Sequence, residues 1–488
     1  MAEEIIINVS QYESRVALVE RGELKEIFIE RTHTPGIVGN IYKGKVKKIL
    51  PGIQSAFVDI GQERAAFTHI ADLVDPHKEN AEERFALPSI TDLLYEDKEA
   101  LFQVTKESIG TKGARITSRI SLVSRYLVYL PATSHIGVSL RIEDEHERLR
   151  LKEALNNFWD KGKGDGFIVR TAAEGVPVDD ILSDAELLCN RWHRILEEEK
   201  TVRSPNLIYE DLPLPLRVVR DIINSGTTGI RVDKQSTLTA VARFLEDFIP
   251  EKLQCLELVD DLQFFESYNI EGQIEAALKR RVSLTSGGHL IIEQTESMTT
   301  IDVNTGAFVG QGDLEETIFR TNREAASSIP GQLRLRNIGG IVIIDFIDMT
   351  DDGHKSEVLK ILEQGQQSDR MKWRITRISE FGIVEMTRKR THESLLRMLC
   401  EPCEHCGGRG FVKTAESACL EIIKEIQRRA RNGSGKECLV MASQSVIDRL
   451  LDEDDTCVRD LADALGVEIK FQVEVGYHQG QFDVVEVI

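Results

Sequence analysis

Two aspartates in strand-like segments are the first candidates for chemistry. Asp302 and Asn304 alternate with Ile301 and Val303, so in a strand the two polar residues share one face. Asp345 ends a run of β-branched residues, which predicts a fully buried central strand with its carboxylate at the ligand-binding end of the sheet. Two carboxylates at the ends of adjacent strands form a hard-oxygen site for Mg²⁺, which activates water and stabilises phosphoryl transition states. In the alternative interpretation, Asp302 caps a turn and Asp345 pairs with an arginine.

A cysteine-rich segment occupies residues 400–410. Cys403 and Cys406 form a C-x-x-C knuckle followed by glycines, a spacing that aims both thiolates at one zinc ion. Tetrahedral zinc needs four ligands, so either Cys400 and a histidine complete the site or two chains contribute one knuckle each. A redox pair is the weaker alternative, because we expect no thioredoxin-like context around this segment.

Two phenylalanines nearer the N-terminus are candidates for base stacking. In the strand-like segment Ser55–Ile60, Phe57 lies on the polar face while Ala56 and Val58 point inward, and Phe67 follows in the next segment. Exposed aromatic rings on a β-barrel stack the bases of single-stranded RNA. Four lysines would supply positive charge beside them: Lys43, Lys45, Lys106 and Lys112. Alternatively, a neighbouring domain covers the rings.

The elements that must position these residues are of several kinds. The 488 residues suggest about three domains. Short strands punctuated by turn dipeptides over 39–119 predict a small β-barrel, and residues 120–210 mix strands with helices. From 281 to 386 strands alternate with helices at 313–327 and 356–368, which is an α/β pattern. An amphipathic helix at 416–432 opens a small α/β tail.

Composition and charge exclude several classes of protein. Hydrophobic residues make up 41% and charged residues 29%, as in ordinary globular proteins, and no apolar run reaches the ~20 residues of a membrane helix. Eight cysteines and an acidic N-terminus predict a reducing, cytoplasmic location. The net charge of −20 disfavours sequence-independent coating of nucleic acid. Local basic islands remain at 39–50 and at 369–377, the second with Arg370, Lys372, Arg374 and Arg377.

Seven collinear blocks give the chain a family resemblance. They are GNIYKGKV, LPGIQSAFVDIG, TKGAR, GFIVRTA, RRVSLTSGGHLIIEQTESMTTIDVNTG, GQLRLRNIGGIVIIDFIDM and CEPCEHCGGRG. Together they span nearly the whole chain, which resembles the ribonuclease E/G family of endoribonucleases. The chain ends at Ile488 without a long Pro/Arg-rich arm, so we expect it to be closer to the short members of that family.

The resemblance implies a multidomain α/β and α+β fold. Residues 1–38 and 211–279 would form the two parts of an RNase H-like domain, interrupted by an OB-fold RNA-binding domain at 39–119 and a 5′-sensor region at 120–210. A DNase I-like catalytic domain at 280–397, a zinc link at 398–412 and a small C-terminal domain at 413–488 would follow.

The resemblance also implies a reaction and the residues that perform it. The reaction is Mg²⁺-dependent cleavage of single-stranded, often A/U-rich RNA, and a 5′-monophosphate on the RNA favours it. The cleavage leaves 5′-phosphate and 3′-hydroxyl ends. Its implied roles are rRNA 5′-end maturation and mRNA decay. Asp302 and Asp345 would bind Mg²⁺ and Asn304 would orient the scissile phosphate or a metal ligand. Phe57, Phe67 and Lys112 would grip RNA, and the 5′-phosphate would meet Arg170, Thr171 and Val128. Cys403 and Cys406 would share one structural Zn²⁺ with a second chain of a homodimer.

Three positions depart from the family pattern. Ser124 stands where ribonuclease E has a glycine beside the sensor pocket. Pro330-Gly331 is predicted to interrupt a helix that would otherwise run into the next block, and Cys400 adds a third thiol near the knuckle.

Two other functions compete with the endoribonuclease. In a non-catalytic RNA-binding protein the barrel would act alone and the carboxylates would be structural. A metal nuclease acting on DNA would follow from the DNase I-like topology, although fold analogy is weak evidence for a substrate.

Overall fold

The computed structural model describes residues 3–33, 35–74, 89–108, 113–131, 133–158, 165–224, 226–259, 264–306, 314–367, 369–390, 392–432, 437–452 and 457–487. The chain divides into two compact units, Met1–Met398 and Leu399–Ile488. Within the described part of the chain, no helix is long and apolar enough to cross a membrane.

The first unit begins with an antiparallel meander. Its strands are β1 (Glu3–Val9), β2 (Glu13–Glu20) and β3 (Glu23–Arg31). Ile5 and Ile7 of β1 and Val16 and Leu18 of β2 are buried in one apolar core. Because successive side chains of a strand point to opposite faces, residues two positions apart lie on the same face of the sheet.

A closed five-stranded barrel follows, as the sequence predicted. Its elements are β4 (Ile41–Leu50), β5 (Ser55–Asp59), β6 (Ala66–His69), α1 (Ile90–Leu93), β7 (Glu99–Lys106) and β8 (Arg115–Thr117). The order β4-β5-β6-β8-β7 closes through pairing of β7 with β4, so the barrel leaves no open edge among these five strands.

A four-stranded sheet and two helices come next. They are β9 (Leu122–Val123), β10 (Leu127–Leu130), β11 (Ile136–Val138), α2 (Glu145–Phe158), β12 (Gly166–Val169) and α3 (Val178–Thr201). The sheet order is β11-β12-β10-β9. A further strand, β13 (Asn206–Tyr209), returns to pair with β4 of the barrel.

The chain then completes the sheet that it began. The elements are α4 (Leu214–Ile222), β14 (Thr227–Val232), α5 (Gln235–Phe248), β15 (Leu256–Leu258), α6 (Phe264–Ser267) and α7 (Ile270–Leu278). Strand β14 lies parallel to β1, which gives the order β15-β14-β1-β2-β3. The barrel is therefore inserted between strands of one sheet.

The last sheet of the first unit has six strands. The elements are β16 (Arg281–Ser283), β17 (His289–Gln294), β18 (Met298–Asn304), α8 (Leu314–Leu335), β19 (Gly340–Asp345), α9 (Asp352–Gln367), β20 (Trp373–Ile375), β21 (Ile383–Arg388) and α10 (Leu395–Leu399). The strand order is β16-β17-β18-β19-β21-β20, with β18 and β19 parallel. One apolar core joins one face of the sheet to α8 and α9. We call the other face the open face.

The second unit is a small α/β layer. It contains α11 (Ala415–Asn432), β22 (Glu437–Ala442), α12 (Gln444–Leu450), α13 (Cys457–Leu465), β23 (Glu468–Val473) and β24 (Phe482–Val487). Its sheet order is β23-β22-β24. The predicted amphipathic helix is α11, whose Ile422 and Ile426 are buried.

The predicted interruption at Pro330-Gly331 is wrong, because α8 continues through Pro330 to Leu335. Proline costs a helix interior about 3 kcal/mol. The helix survives because Ile329 and Leu333 on either side of the proline are fully buried in the core. The proline ring packs on Gly365 of α9, where a Cβ atom would lie 2.2 Å from the ring Cγ.

Gly365→Ala should therefore destabilise the protein by about 1–3 kcal/mol, since the added methyl group overlaps the ring of Pro330. Urea denaturation would measure the change. The control is Gly331→Ala, where a Cβ meets nothing within 4 Å and alanine should be neutral or favourable in the helix. Adding Pro330→Ala to Gly365→Ala should restore stability, and a Gly365→Ala chain as stable as the original would contradict this account.

Candidate active site and nucleic-acid interface

The two predicted aspartates meet at the open face. Asp302 of β18 and Asp345 of β19 are register partners on adjacent parallel strands, and both are exposed. The Nδ2 of Asn304 donates a hydrogen bond of 2.8 Å to Oδ2 of Asp302. The structure thus brings together the three residues that the sequence proposed as catalytic.

Strand periodicity accounts for this placement. Ile301 and Val303 are buried, which turns Asp302 and Asn304 to the open face as predicted. The prediction that the strand ending at Asp345 is fully buried is wrong. Its Val342 is buried but its Ile341 is 46% exposed, because α8 and α9 cover only one face of the sheet.

Negative charge is concentrated around Asp345. Loss of solvent, and then the charges of Asp302 and Asp348, raise the pKa of the Asp345 carboxyl above its usual value. Among the described residues, neither Asp302 nor Asp345 has a lysine or arginine in ion-pair contact, which argues against the structural alternative for Asp345. Carboxylate pairs of this kind are ligands that divalent cations prefer.

The two carboxylates, Asp302 and Asp345, suit Mg²⁺ better than they suit a metal ion whose ligands all come from the protein. No group of three or more His, Cys, Asp or Glu side chains in the described ranges is placed to hold a metal ion. Mg²⁺ commonly binds one or two carboxylates and takes its remaining ligands from water and substrate phosphates. Two facing carboxylates on an exposed sheet meet that requirement.

The second basic island lies on and beside β20, at one edge of this sheet. Asp369 does not belong to the surface, since it is buried and bonded to Arg388. Lys372, Arg374 and Arg377 are exposed, and Arg374 pairs in register with Thr387 of β21. Positive side chains therefore border the open face on this side.

The barrel presents its two phenylalanines as a pair. Phe57 and Phe67 are register partners on β5 and β6, partly exposed, with ring centroids 6.0 Å apart. Ala56 and Val58 point into the barrel as predicted. Lys106, at the end of β7, is partly exposed, and Lys112 lies outside the described residues.

Three lysines of the first basic island, residues 39–50, already contact other groups of the protein. Lys45 pairs with Asp97 and Lys47 pairs with Asp59, each at 2.8 Å. The ammonium group of Lys43 donates to two backbone carbonyls at the end of α3 and after it, at 2.9 and 3.0 Å. Lys43 therefore anchors the barrel to α3 and is a structural residue in this fold.

Two of the three proposed sensor residues, Arg170 and Val128, line one large cavity of about 1990 Å³ in the first unit. Arg170 follows β12 and donates from its two terminal nitrogens to the Ser124 carbonyl at 2.6 Å and to Asp221 at 2.8 Å. Thr171 begins a 3-10 turn, and its hydroxyl lies 3.0 Å from that of Ser139. Val128 of β10 is half-buried and borders the same cavity.

The sequence interpretation missed two acidic residues near Arg170: Asp221 contacts it directly, and Asp184 holds the turn whose Ser124 carbonyl accepts from it. Burial opposes ionisation of Asp221, yet hydrogen bonds and charges from Arg220 and Arg170 lower its pKa. Asp184 is buried beneath the turn that follows β9, where it accepts hydrogen bonds from the Ser124 hydroxyl and from the Tyr126 backbone N–H. Burial raises the pKa of Asp184 above its usual value.

The signal for Asp184 was present in the sequence. In α3 the buried face is formed by Ile181, Ala185 and Leu188, and Asp184 lies within that stripe. A carboxylate in an apolar helical stripe needs a buried partner. Ser124, the departure from ribonuclease E, is that partner.

The cysteine loop is exposed in the second unit. Cys403 is exposed and Cys406 is half-buried. The backbone N–H of Gly410 donates to the Cys406 sulfur at 3.4 Å and is the first cause that lowers the pKa of that thiol. Among the described residues of this loop, no group of three or more His, Cys, Asp or Glu side chains is placed to hold a metal ion.

Comparison with known proteins defines the class. A sequence model of the Ribonuclease E/G family matches residues 121–391, and a model named RNase E/G, Thioredoxin-like domain matches residues 402–487. The chain belongs to the ribonuclease E/G family, as its sequence blocks indicated. The expectation that no thioredoxin-like context surrounds the cysteine segment is wrong, since the second match includes Cys403 and Cys406.

The particular relatives include ribonuclease G of two bacteria. The chain is 47% identical over 489 residues to ribonuclease G of Haemophilus influenzae, and the aligned region covers 99% of each protein. It is 46% identical over 490 residues to ribonuclease G of Escherichia coli K12, covering 99% of this chain and 100% of that protein. Ribonuclease E of Escherichia coli K12 is 35% identical over 458 residues, which is 93% of this chain and 43% of the longer protein.

Proposed function

We propose that this protein cleaves single-stranded, A/U-rich RNA internally in a Mg²⁺-dependent reaction, in which Asp302 and Asp345 would hold the metal ion. That it is an endoribonuclease follows from its family and from full-length similarity to ribonuclease G. The observation that carries the proposed mechanism is the pair of register-matched carboxylates on the open face, with Asn304 bonded to one of them.

Each residue of the pair has a distinct environment. Bound Mg²⁺ would supply an activated water and stabilise the charge of the phosphoryl transition state. Asp302 is oriented by the hydrogen bond from Asn304, so its carboxylate is held ready for a ligand. Asp345 is crowded by like charges, which favours binding of a cation. Attack of water on phosphorus with loss of the 3′ oxygen leaves 5′-phosphate and 3′-hydroxyl ends.

The barrel would hold the RNA chain. The paired rings of Phe57 and Phe67 offer two neighbouring faces for base stacking. Lys106 borders the same cavity as Arg170, so a strand could pass from the barrel to the sensor residues. We include Lys112 in this surface on family resemblance alone.

The sensor would bind the 5′-monophosphate through Arg170 and Thr171, with Val128 as an apolar wall. A guanidinium group and a hydroxyl suit a terminal phosphate. Asp221 contacts Arg170 and also Arg220, at 2.8 and 2.9 Å. Arg220 also pairs with Asp211 at 3.2 Å, so two carboxylates balance the two guanidinium groups. Arg170 would therefore recognise the phosphate through its remaining N–H donors.

Assembly and domain layout are further parts of the proposal. Zn²⁺ would be shared by Cys403 and Cys406 of two chains in a homodimer, because one chain supplies too few ligands among the described residues. Pairing of β14 with β1 supports the view that 1–38 and 211–279 form one RNase H-like domain around the inserted barrel. The physiological role would be rRNA 5′-end maturation and mRNA decay.

Cleavage of one fluorescent single-stranded RNA tests this function. The RNA carries either a 5′-monophosphate or a 5′-hydroxyl and is incubated with Mg²⁺ or with EDTA. We expect internal cleavage that requires Mg²⁺ and is faster on the monophosphate. Arg170→Ala should reduce that preference about tenfold or more, since it removes a charged hydrogen bond.

Arg194→Ala is the matched control for Arg170→Ala, because Arg194 is exposed on α3 and does not line the cavity. Equal cleavage of both RNAs by the unmodified protein would remove the sensor from the proposal and leave the nuclease. Binding without cleavage in Mg²⁺ would instead favour the non-catalytic RNA-binding function.

A further inference from the structure

The open face carries a second basic feature, at the edge opposite β20. Strand register places Arg281 of β16, Ile291 of β17, Asp302 of β18 and Asp345 of β19 in one row across the sheet. Register partners project to the same face of a sheet. Arg281 therefore shares the open face with the two carboxylates.

Arg281 and His289 form a pair on this face. A terminal nitrogen of Arg281 lies 3.5 Å from Nδ1 of His289, and His289 is the register partner of Asn304. Arg281 is exposed and has no carboxylate in ion-pair contact among the described residues. Its neighbour Arg280 differs, since it pairs with Glu293 at 2.9 Å. The charge of Arg281 is thus available to a ligand.

We propose that Arg281 and His289 form a second phosphate-binding subsite for the RNA strand whose cleavage is proposed above. This inference rests on that proposed function for the identity of the ligand. A guanidinium group binds phosphate oxygens through two parallel N–H donors, and an imidazole adds a further donor or a stacking surface. The acidic side chains elsewhere on the face, Asp302, Asp345, Glu293 and Glu385, would repel a polyanion without such a contact.

The position of Arg281 and His289 on the sheet indicates which phosphate of the RNA they would bind. Two strand spacings, about 10 Å, separate the backbone of Arg281 from that of Asp302. The phosphate at Arg281 is therefore a different one from the phosphate at the carboxylates. With Arg374 at the far edge, positive groups lie on both sides of the acidic centre, and an RNA strand crossing the sheet from edge to edge would contact both.

The test is the salt dependence of RNA binding. A fluorescent single-stranded RNA is titrated with full-length protein in EDTA, so that no cleavage occurs, at several KCl concentrations. The affinity falls as salt rises, and each lost phosphate contact should reduce the steepness of log affinity against log salt by about 0.7 for a single strand. We expect this change and a several-fold loss of affinity in Arg281→Ala and in Arg281→Gln. Arg280→Ala, which removes the same charge one residue away, should keep the original slope.

A second measurement locates the phosphate. A single uncharged methylphosphonate linkage is moved along the RNA; one position should weaken binding to the unmodified protein but not to Arg281→Ala. Equal slopes for Arg281→Ala and Arg280→Ala would overturn the subsite even if Mg²⁺-dependent cleavage is intact. Conversely, a slope that depends on Arg281 in a protein that does not cleave RNA would retain the subsite and remove the proposed catalysis.

Discussion

Asp345→Asn should lower the rate of RNA cleavage by roughly 10²–10³-fold or more, as does removal of other groups that stabilise charge in a transition state. Asparagine keeps the size of the side chain but has no charge to offer Mg²⁺. The Asp345 carboxyl is exposed and lies opposite Asp302, so the substitution should leave the sheet intact. Initial rates on a fluorescent RNA at saturating Mg²⁺ measure the loss, and fluorescence anisotropy in EDTA should detect unchanged RNA binding.

Asp352→Asn is the control for this loss. Asp352 begins α9 and is exposed, and its carboxylate pairs with Lys355 at 3.0 Å. Its replacement removes the same charge outside the carboxylate pair and should change the cleavage rate little. If Asp345→Asn cleaves as fast as the Asp352→Asn control, the carboxylate pair is not the metal site. The catalytic centre must then lie elsewhere in the chain.

Local periodicity explains why much of this site was predictable. The alternation of Ile301 and Val303 with Asp302 and Asn304 fixes which side chains face solvent once the segment is a strand. The pairing of that strand with the one ending at Asp345 is a contact across more than 40 positions. The sequence indicated it through the strand-end position of Asp345 and the family resemblance.

Tertiary packing explains what was missed. Pro330 predicts a break when α8 is considered alone, but the ring fits against Gly365 of a helix that is distant in sequence. The partnership of Ser124 with Asp184 joins a turn to a helix 60 positions away. Ile341 is exposed because the helices pack on one face of the sheet. In each case the deciding neighbour is set by the fold and not by the local pattern.

Arg388→Ala should destabilise the first unit by about 3–5 kcal/mol, because it leaves a buried carboxylate without its counter-charge. Arg388 and Asp369 are both about 5% exposed. The guanidinium group donates to the two oxygens of Asp369 at 2.7 and 3.2 Å and to the Ile338 carbonyl at 2.7 Å. The indole N–H of Trp373 also donates to Asp369, at 2.8 Å. These bonds tie β20 and β21 to the start of the strand that carries Asp345.

Urea denaturation followed by tryptophan fluorescence measures the destabilisation by Arg388→Ala. Arg280→Ala breaks an exposed ion pair with Glu293 and should cost at most about 1 kcal/mol. Adding Asp369→Leu to Arg388→Ala separates the effect of the unpaired buried carboxylate from the effect of lost packing. Because no unpaired charge then remains buried, the double variant should be more stable than Arg388→Ala alone. A double variant that is equally unstable would mean that the hydrogen bond to Ile338 and the packing of the arginine chain, and not the charge of Asp369, hold these strands together.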